Sequence, residues 1–426
     1  MWRKVKSKIY NFLRWSEKYT KTDMVYLARG GFWLTSGQTI SFVLTFLLSV
    51  AFANLLPRET FGFYKYVLSV VPILAISTLS GINMAVAQAV ARGYEGSLIP
   101  ALKSKIRWGL LGALASLILA GYYYFQNNTI LTISFLIAAV FLPFKDSFAI
   151  YGTLLQGRKL FNIITKYSVI SQIVAIGVLI ITLFITKNFL LILLIYFASW
   201  TFLHFLFLKI TFKKFPPNQN QDPKTTSYGK HLSLINVIGI LASYLDRLLI
   251  FHYLGPVNLA VYSFALAPVE QIKGLFKNIP TLALPKISPR SFKEINLMLY
   301  KRLFQLFLIG GFITLIYLLF APYLFKILFP KYLDSISFSQ IFSITIALRL
   351  PVIFLSTVGQ SKITFIPKEI LYPAALLPQF VLIGLLFFLV KPYGIMGVIV
   401  SRILFLILAI IISLIYWRKL VKMNIK

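Results

Sequence analysis

The chain has 426 residues, 58% hydrophobic and 13% charged, with 43 Lys+Arg against 11 Asp+Glu for a formal net charge of +32. A soluble domain is nearer about 45–50% apolar, whereas here Leu-, Ile- and Phe-rich runs of ~20 residues, long enough to cross a bilayer as helices, recur along the chain. Zero cysteines exclude disulfides, thiolate metal sites and cysteine nucleophiles, and the histidines (His204, His231, His252) are too scattered to suggest a metal site.

Residues 1–30 form a basic amphipathic N-terminal segment. Trp2, Val5, Ile9 and Phe12 recur at helical spacing among Arg3, Lys4, Lys6 and Lys8. This predicts an interfacial helix lying on anionic phospholipids; a basic, partly ordered tail is the alternative. It is not read as a cleavable signal, because the first apolar run begins only near Gly31. Spans then follow near 31–53, 64–86, 108–125, 130–152, 168–186, 189–208, 232–254, 259–279, 303–320, 338–358, 370–390 and 393–417. The runs are continuously apolar without period-2 alternation, so they read as helices and not as barrel strands.

Segment 209–231, with Pro216, Pro217, Asn218, Asn220 and Asp222, divides the spans evenly and reads as a linker. The expected organisation is therefore an N-terminal six-helix bundle over 31–208, a cytoplasmic linker over 209–231, a C-terminal six-helix bundle over 232–417 and a basic tail over 418–426. The fold class is an all-α polytopic membrane protein of about 12 transmembrane helices.

Connecting segments alternate sharply in Lys+Arg, with 31 on one side and 5 on the other. That asymmetry places both termini in the cytoplasm, in the cell membrane. It also explains the +32 charge as loop charge, so no nucleic-acid partner is expected. Trp33, Trp108 and Trp417 fall at cytoplasmic span ends, as an aromatic belt predicts.

Seven cations lie inside the spans: Lys65, Lys145, Arg247, Lys273, Lys277, Arg349 and Arg402. The acids there are Asp146, Asp246 and Glu270. A charge at the centre of a span costs about 2.5–3.5 kcal/mol on insertion scales, so such groups face a protein interior or a wet cavity. Three carboxylates cannot neutralise seven cations, and the surplus suggests a cavity that receives an anion. Lys65, Lys145, Arg247, Lys273 and Arg349 are the candidates for that cationic cavity.

Glu270, Lys273 and Lys277 share one helix face at i, i+3, i+7 spacing. They form either a cavity stripe, or an internal Glu270–Lys273 pair with Lys277 snorkelling to the headgroups. Asp246 and Arg247 are neighbours about 100° apart around a helix, so they cannot point the same way. Lys145 and Asp146 follow Pro143, and Arg349 precedes Pro351. Each places a cation beside a helix-breaking proline, at a hinge, a ligand site or a locally satisfied kink. Arg402 is expected to pack within its half. Lys65, near the outward end of its span, either snorkels outward or attracts a phosphate near the exit. Gln38, Asn83 and Gln88 could hydrogen-bond sugar hydroxyls or neighbouring helices. No cofactor is expected; Asp146, Asp246 and Glu270 are candidates for exchanging H⁺ or Na⁺.

A short internal repeat supports the division into halves. The stretch Leu55-Leu56-Pro57-Arg58-Glu59-Thr60-Phe61-Gly62-Phe63-Tyr64 resembles Tyr253-Leu254-Gly255-Pro256-Val257-Asn258-Leu259-Ala260-Val261-Tyr262. Each joins the first span of its half to the second, which implies a parallel repeat with a site between the halves.

These pieces, with Gly31-Phe32-Trp33, Leu245-Asp246-Arg247-Leu248-Leu249-Ile250 and Tyr393-Gly394-Ile395-Met396-Gly397-Val398, resemble the polysaccharide flippases of the multidrug/oligosaccharidyl-lipid/polysaccharide exporter superfamily. The likeness covers nearly the whole chain. It implies two six-helix bundles around a central cavity, lined largely by the first two helices of each half. It also implies movement of an undecaprenyl-pyrophosphate-linked oligosaccharide from the inner to the outer leaflet by alternating access, for cell-surface polysaccharide biosynthesis alongside glycan-assembly proteins. Such a protein is not an enzyme.

Three other readings compete. A drug or metabolite exporter of the same superfamily that carried cations should concentrate acids in its cavity. A membrane glycan polymerase or transferase should have a sizeable outward loop or an outward carboxylate cluster, whereas the outward loops hold only Glu59 and Asp334 among acids. A channel should carry a pore motif, which two halves of six spans do not themselves create.

Overall fold

In a bilayer core no water is available to backbone N–H and C=O groups, so a continuously apolar segment must satisfy them internally, and a helix does so. The computed structural model describes residues 24–362 and 366–424, and over these the chain is helical with no strand. The first half holds α1 (Met24–Leu55), α2 (Arg58–Leu74), α3 (Gly81–Ala91), α4 (Leu98–Phe125), α5 (Thr129–Phe148), α6 (Tyr151–Gly157), α7 (Phe161–Ile185) and α8 (Phe189–Lys214). The second holds α9 (Lys224–Leu275), α10 (Ile279–Ile287), α11 (Phe292–Leu328), α12 (Ser335–Phe342), α13 (Ile344–Ser361) and α14 (Lys368–Asn424). The amphipathic segment expected at the N-terminus lies outside the described residues up to residue 23.

Ten helical stretches among the described residues are long and apolar enough to cross a membrane. Two are hairpins. A straight helix of the 52 residues of α9 would run ~78 Å, more than twice the ~30 Å of a hydrocarbon core. Instead Gly255 adopts φ 83° and ψ 178°, and the chain turns back. The Tyr262 hydroxyl then reaches Asp246 Oδ2 at 2.5 Å. In α14, Gly394 at φ 55° makes the same reversal, bringing the Leu389 carbonyl against Gly397. Counting both limbs of each hairpin agrees with about twelve passes. Apolar side chains such as Leu110, Leu114, Phe184, Phe312 and Phe388 point outward, as a lipid-facing surface requires.

Several boundaries depart from the sequence reading. The second expected span, 64–86, is helix α2, a 3₁₀ turn over Ala75–Thr78 and the separate helix α3. Leu79 at φ 57° ends the 3₁₀ turn, since a left-handed residue cannot continue a right-handed helix. Lys65 therefore lies two turns inside α2 rather than at its outward end. The loop expected over 321–337 shrinks, because α11 runs to Leu328 and a 3₁₀ turn over Pro330–Tyr332 leads into α12.

The first limb of α9 packs on α2 and α3, so it forms the seam between the halves. At the end away from the linker the two repeat corners meet. A Cβ on Gly62 would lie 2.0 Å from the Pro256 carbonyl oxygen, so only glycine permits that approach. Phe61 stacks on Phe264 at 4.5 Å, and Phe264 lies 4.1 Å from Tyr332. Arg58 crosses the seam to Asp334 at 2.7 Å, and Asn54 donates to the Leu328 carbonyl at 3.0 Å. These contacts close the seam at this face.

At the linker face the 216–222 segment is fastened to the first half. Glu95 pairs with Arg158 at 2.6 Å, and Arg158 donates to the Pro216 carbonyl at 2.9 Å. Asn218 donates to the Gly93 carbonyl at 2.8 Å, Gly96 N–H donates to the Asn220 carbonyl at 2.8 Å, and Arg92 pairs with Asp222 at 2.7 Å. The Lys224 N–H and Arg92 hold the Asp222 carboxyl below the usual carboxylate range. Beneath this clasp, Gly81 N–H donates to Ser233 Oγ at 3.0 Å, joining α3 to α9.

Candidate functional site

The charged groups of the second half converge on one cavity of about 520 Å³. Its wall comes from both limbs of α9 (Ser243, Glu270, Lys273), the turn that follows (Lys277), α10 (Pro280), α12 and α13 (Phe342, Thr345, Arg349, Ile353) and α14 (Arg402, Phe405). The i, i+3, i+7 spacing explains why Glu270, Lys273 and Lys277 arrive together. Both alternatives for this stripe are partly realised. Glu270 and Lys273 pair at 2.6 Å, yet both line the cavity, with the Glu270 side chain 50% exposed against 12% for Lys273. Lys277 is exposed into the same cavity. Arg349, one turn into α13, is exposed there too and has no ion-pair partner among the described residues.

Arg402 packs within its own half, as expected, and its partner there is Asp246. The Arg402 guanidinium meets Asp246 Oδ2 at 2.7 Å and donates to the Ser243 carbonyl at 3.0 Å. Asp246 is fully buried and also accepts from Tyr262 Oη and the Arg247 N–H. Four cations in the wall thus face two carboxylates, Glu270 and Asp246, and two positive charges remain uncompensated.

A second cavity of about 770 Å³ lies in the first half against α9. Its polar lining is mostly uncharged: Ser80, Asn83, Gln88, Gln156 and Asn236, with Lys159 two residues past the end of α6. Asn236 lines this cavity and Ser243 lines the cationic one. Seven residues apart, they share a helix face. Gly239 lies between them on that face, and a Cβ there would meet nothing within 4 Å. Arg247 is one turn beyond Ser243 on the same stripe, half-buried, with its guanidinium 5.4 Å from the Tyr244 ring. The two cavities are therefore neighbours along one open face of α9, the amide-lined one nearer the linker.

The remaining candidates fall elsewhere. Lys65 sits over the Phe61 ring at 5.3 Å and within electrostatic reach of Arg247 across the seam. Lys145 pairs with Asp146 at 2.9 Å, and its carbonyl, in the last turn of α5, accepts the ring N–H of His204 at 2.7 Å. Gln38 on α1 lines neither cavity. Sequence reasoning also overlooked Lys105. Assigned to a cytoplasmic connection, it is 1% exposed inside α4 and donates to Asn83 Oδ1 at 3.0 Å, behind the amide-lined cavity. Helix α4 begins at Leu98, about three turns ahead of the span expected from residue 108, and that start could have been read from Pro100, a residue favoured in a helix's first turn.

The model of the family described as "Polysaccharide biosynthesis protein" matches residues 27–289, which carry the amide-lined cavity and both limbs of α9. The chain belongs to this family. It is a multi-pass membrane protein of it. A Shigella flexneri protein provisionally named an O-antigen transporter is 28% identical over 184 residues, covering 41% of this chain and 42% of that protein. The chain thus spans less than half the length of this curated relative in the match. In architecture the family member resembles the lipid II flippase MurJ in an inward closed conformation, with TM-score 0.69, 16% identity, 92% of this chain and 90% of that one covered. It also resembles an inward-facing multidrug resistance MATE family transporter of the MOP superfamily, with TM-score 0.58, 14% identity, and 90% and 96% covered. At these identities the likeness shows the fold, which is the one expected from sequence.

Proposed function

We propose that this protein is a flippase for a polyprenyl-pyrophosphate-linked oligosaccharide, moving it from the inner to the outer leaflet by alternating access. The observation that carries the reading is the juxtaposition of two cavities on one face of α9. Two uncompensated cations in one match the two negative charges of a disubstituted pyrophosphate. Arg349, binding such a group as a fork, and Lys277, binding it as a point charge, are those two cations; Lys273, paired with Glu270, stands beside them. The amide-lined cavity offers both donors and acceptors, which suits sugar hydroxyls; Asn83 and Gln88 are the contacts proposed there. Arg247 and Lys65 continue the positive path toward the closed face. The Shigella flexneri relative and the MurJ-like architecture support the same substrate class.

The surplus of cations favours this reading over a cation-exporting drug transporter. The Lys/Arg asymmetry puts the linker face in the cytoplasm. A single Cys at the exposed Gln219, in an otherwise cysteine-free chain, should resist an impermeant thiol reagent in intact cells. With that orientation the seam contacts describe a state closed on the outside, awaiting substrate from within. Of the acids, Glu270 is the one proposed for ion coupling, because it lines the cavity half-exposed with one partner. Asp246 is committed to three neighbours.

The test is translocation of a labelled polyprenyl-pyrophosphate oligosaccharide in proteoliposomes. Lys277→Gln and Arg349→Gln should each slow it about ten-fold or more, since a hydrogen bond to a charged group is worth about 1.5–3 kcal/mol. Wild-type rates in the double variant would reject the proposal.

A further inference from the structure

A third cavity, of about 450 Å³, lies apart from the transport path, where α4 enters the membrane. Its wall holds Ile99, Lys103, Arg107 and Trp108 of α4, Gln221 of the linker and Lys230 of α9. Lys103 and Arg107 are one turn apart and share a face. Lys230 arrives from the other half, its ammonium 5.2 Å from the Trp108 ring. No carboxylate lines the cavity. The acids of the linker clasp, Glu95 and Asp222, are held by Arg158 and Arg92. None of the three pocket cations has an ion-pair partner among the described residues.

The depth of this cavity in the membrane follows from its neighbours. Trp108 is 41% exposed, and the next turns of α4 present Leu110, Leu111 and Leu114 outward at more than 50%. An exposed Trp followed directly by exposed leucines marks the boundary between headgroups and acyl chains. A basic pocket between helices at that level has the chemistry to hold a lipid phosphate. We infer that Lys103, Arg107 and Lys230 bind the phosphate of an anionic phospholipid, whose acyl chains lie along the leucine face of α4. Because Gln221 and Lys230 belong to the linker and the start of α9, the lipid bridges the first half to the helix that forms the seam. Anionic lipid would thereby stabilise the linker-side contact between the halves. This inference does not depend on the transported substrate.

The experiment is native mass spectrometry of the full-length protein in detergent, titrated with phosphatidylglycerol, phosphatidylcholine or inorganic phosphate. The wild type should prefer phosphatidylglycerol at its tightest site. The triple variant Lys103→Gln, Arg107→Gln, Lys230→Gln should lose roughly a hundred-fold in that affinity, and each single variant about five-fold, as surface cations contribute individually. Lys103→Arg with Lys230→Arg should keep it. An equal charge change elsewhere on the same face, Lys209→Gln, Lys213→Gln, Lys214→Gln, should leave it unchanged. Equal loss in that control, no loss in the pocket variants, or no preference for phosphatidylglycerol would overturn the inference. Full displacement of the lipid by millimolar inorganic phosphate would overturn the lipid assignment and make this a soluble-anion pocket.

Discussion

Asp246 and Arg402 are 156 residues apart in sequence and 2.7 Å apart inside the second bundle. The carboxylate gathers the Arg402 guanidinium, the Tyr262 hydroxyl and the Arg247 N–H, so one buried acid ties both limbs of α9 to the second limb of α14. A cavity wall built from three separate limbs keeps its shape only while that knot holds.

Removing one partner of a buried pair leaves the other charge stranded, at a cost of about 3–5 kcal/mol. Asp246→Asn should therefore lower folded membrane abundance and thermal stability. Adding Arg402→Gln should restore part of the loss, because the stranded charge is gone. Glu270→Gln, at a half-exposed acid, should leave stability near wild type and act only on the response of transport to an imposed H⁺ or Na⁺ gradient. Melting curves in detergent separate the first pair, and proteoliposome assays address the last. An Asp246→Asn protein as stable as wild type would contradict the knot.

Two glycines give a matched test of packing. Gly62→Ala would push a methyl group into the Pro256 carbonyl, and overpacking of this kind costs about 1–3 kcal/mol. Gly239→Ala makes the same chemical change in open space and should not lower stability. Melting temperatures of the two variants, measured side by side, decide whether the seam at the Gly62–Pro256 corner is as tight as described.

A larger side chain at Gly239 should block passage between the two cavities without unfolding the protein. Gly239→Leu is expected to reach normal abundance and to slow translocation of the labelled oligosaccharide by about ten-fold, the cost of excluding one well-bound group. Undiminished transport would show that the substrate does not occupy this face of α9.

The linker clasp should be acid-labile. Folding holds the Asp222 carboxyl below its usual range, through the Lys224 N–H and Arg92. Between the folded and unfolded values the unfolded chain therefore binds more protons, and stability rises with pH. The contribution is complete above about pH 4, the usual aspartate value, and is lost as pH falls through the folded one. Asp222→Asn should accordingly loosen the clasp at neutral pH, with the difference from wild type vanishing in strong acid. Hydrogen exchange of the Asn218–Asp222 amides at pH 7 reads it directly; equal protection in both proteins would refute the clasp.

The sequence by itself determined the membrane class, the helical state and a pass count of about twelve. These follow from a quantity written along the chain, the length of its hydrophobic runs. It also placed Glu270, Lys273 and Lys277 on one face, because a helix converts spacing of 3 and 4 into direction. Only the tertiary structure decided which cations share a wall. Lys277, for which snorkelling was the alternative, and Arg402, expected only to pack within its half, line the cavity with Lys273 and Arg349, while Lys145 is turned to Asp146 and Lys105 is buried beside Asn83. Periodicity fixes a side chain's bearing around its own helix, but not which neighbour stands on that bearing. In this chain that was settled by the hairpins at Gly255 and Gly394 and by the close approach of Gly62 to Pro256, which set how far each helix face is rotated toward the space between the halves.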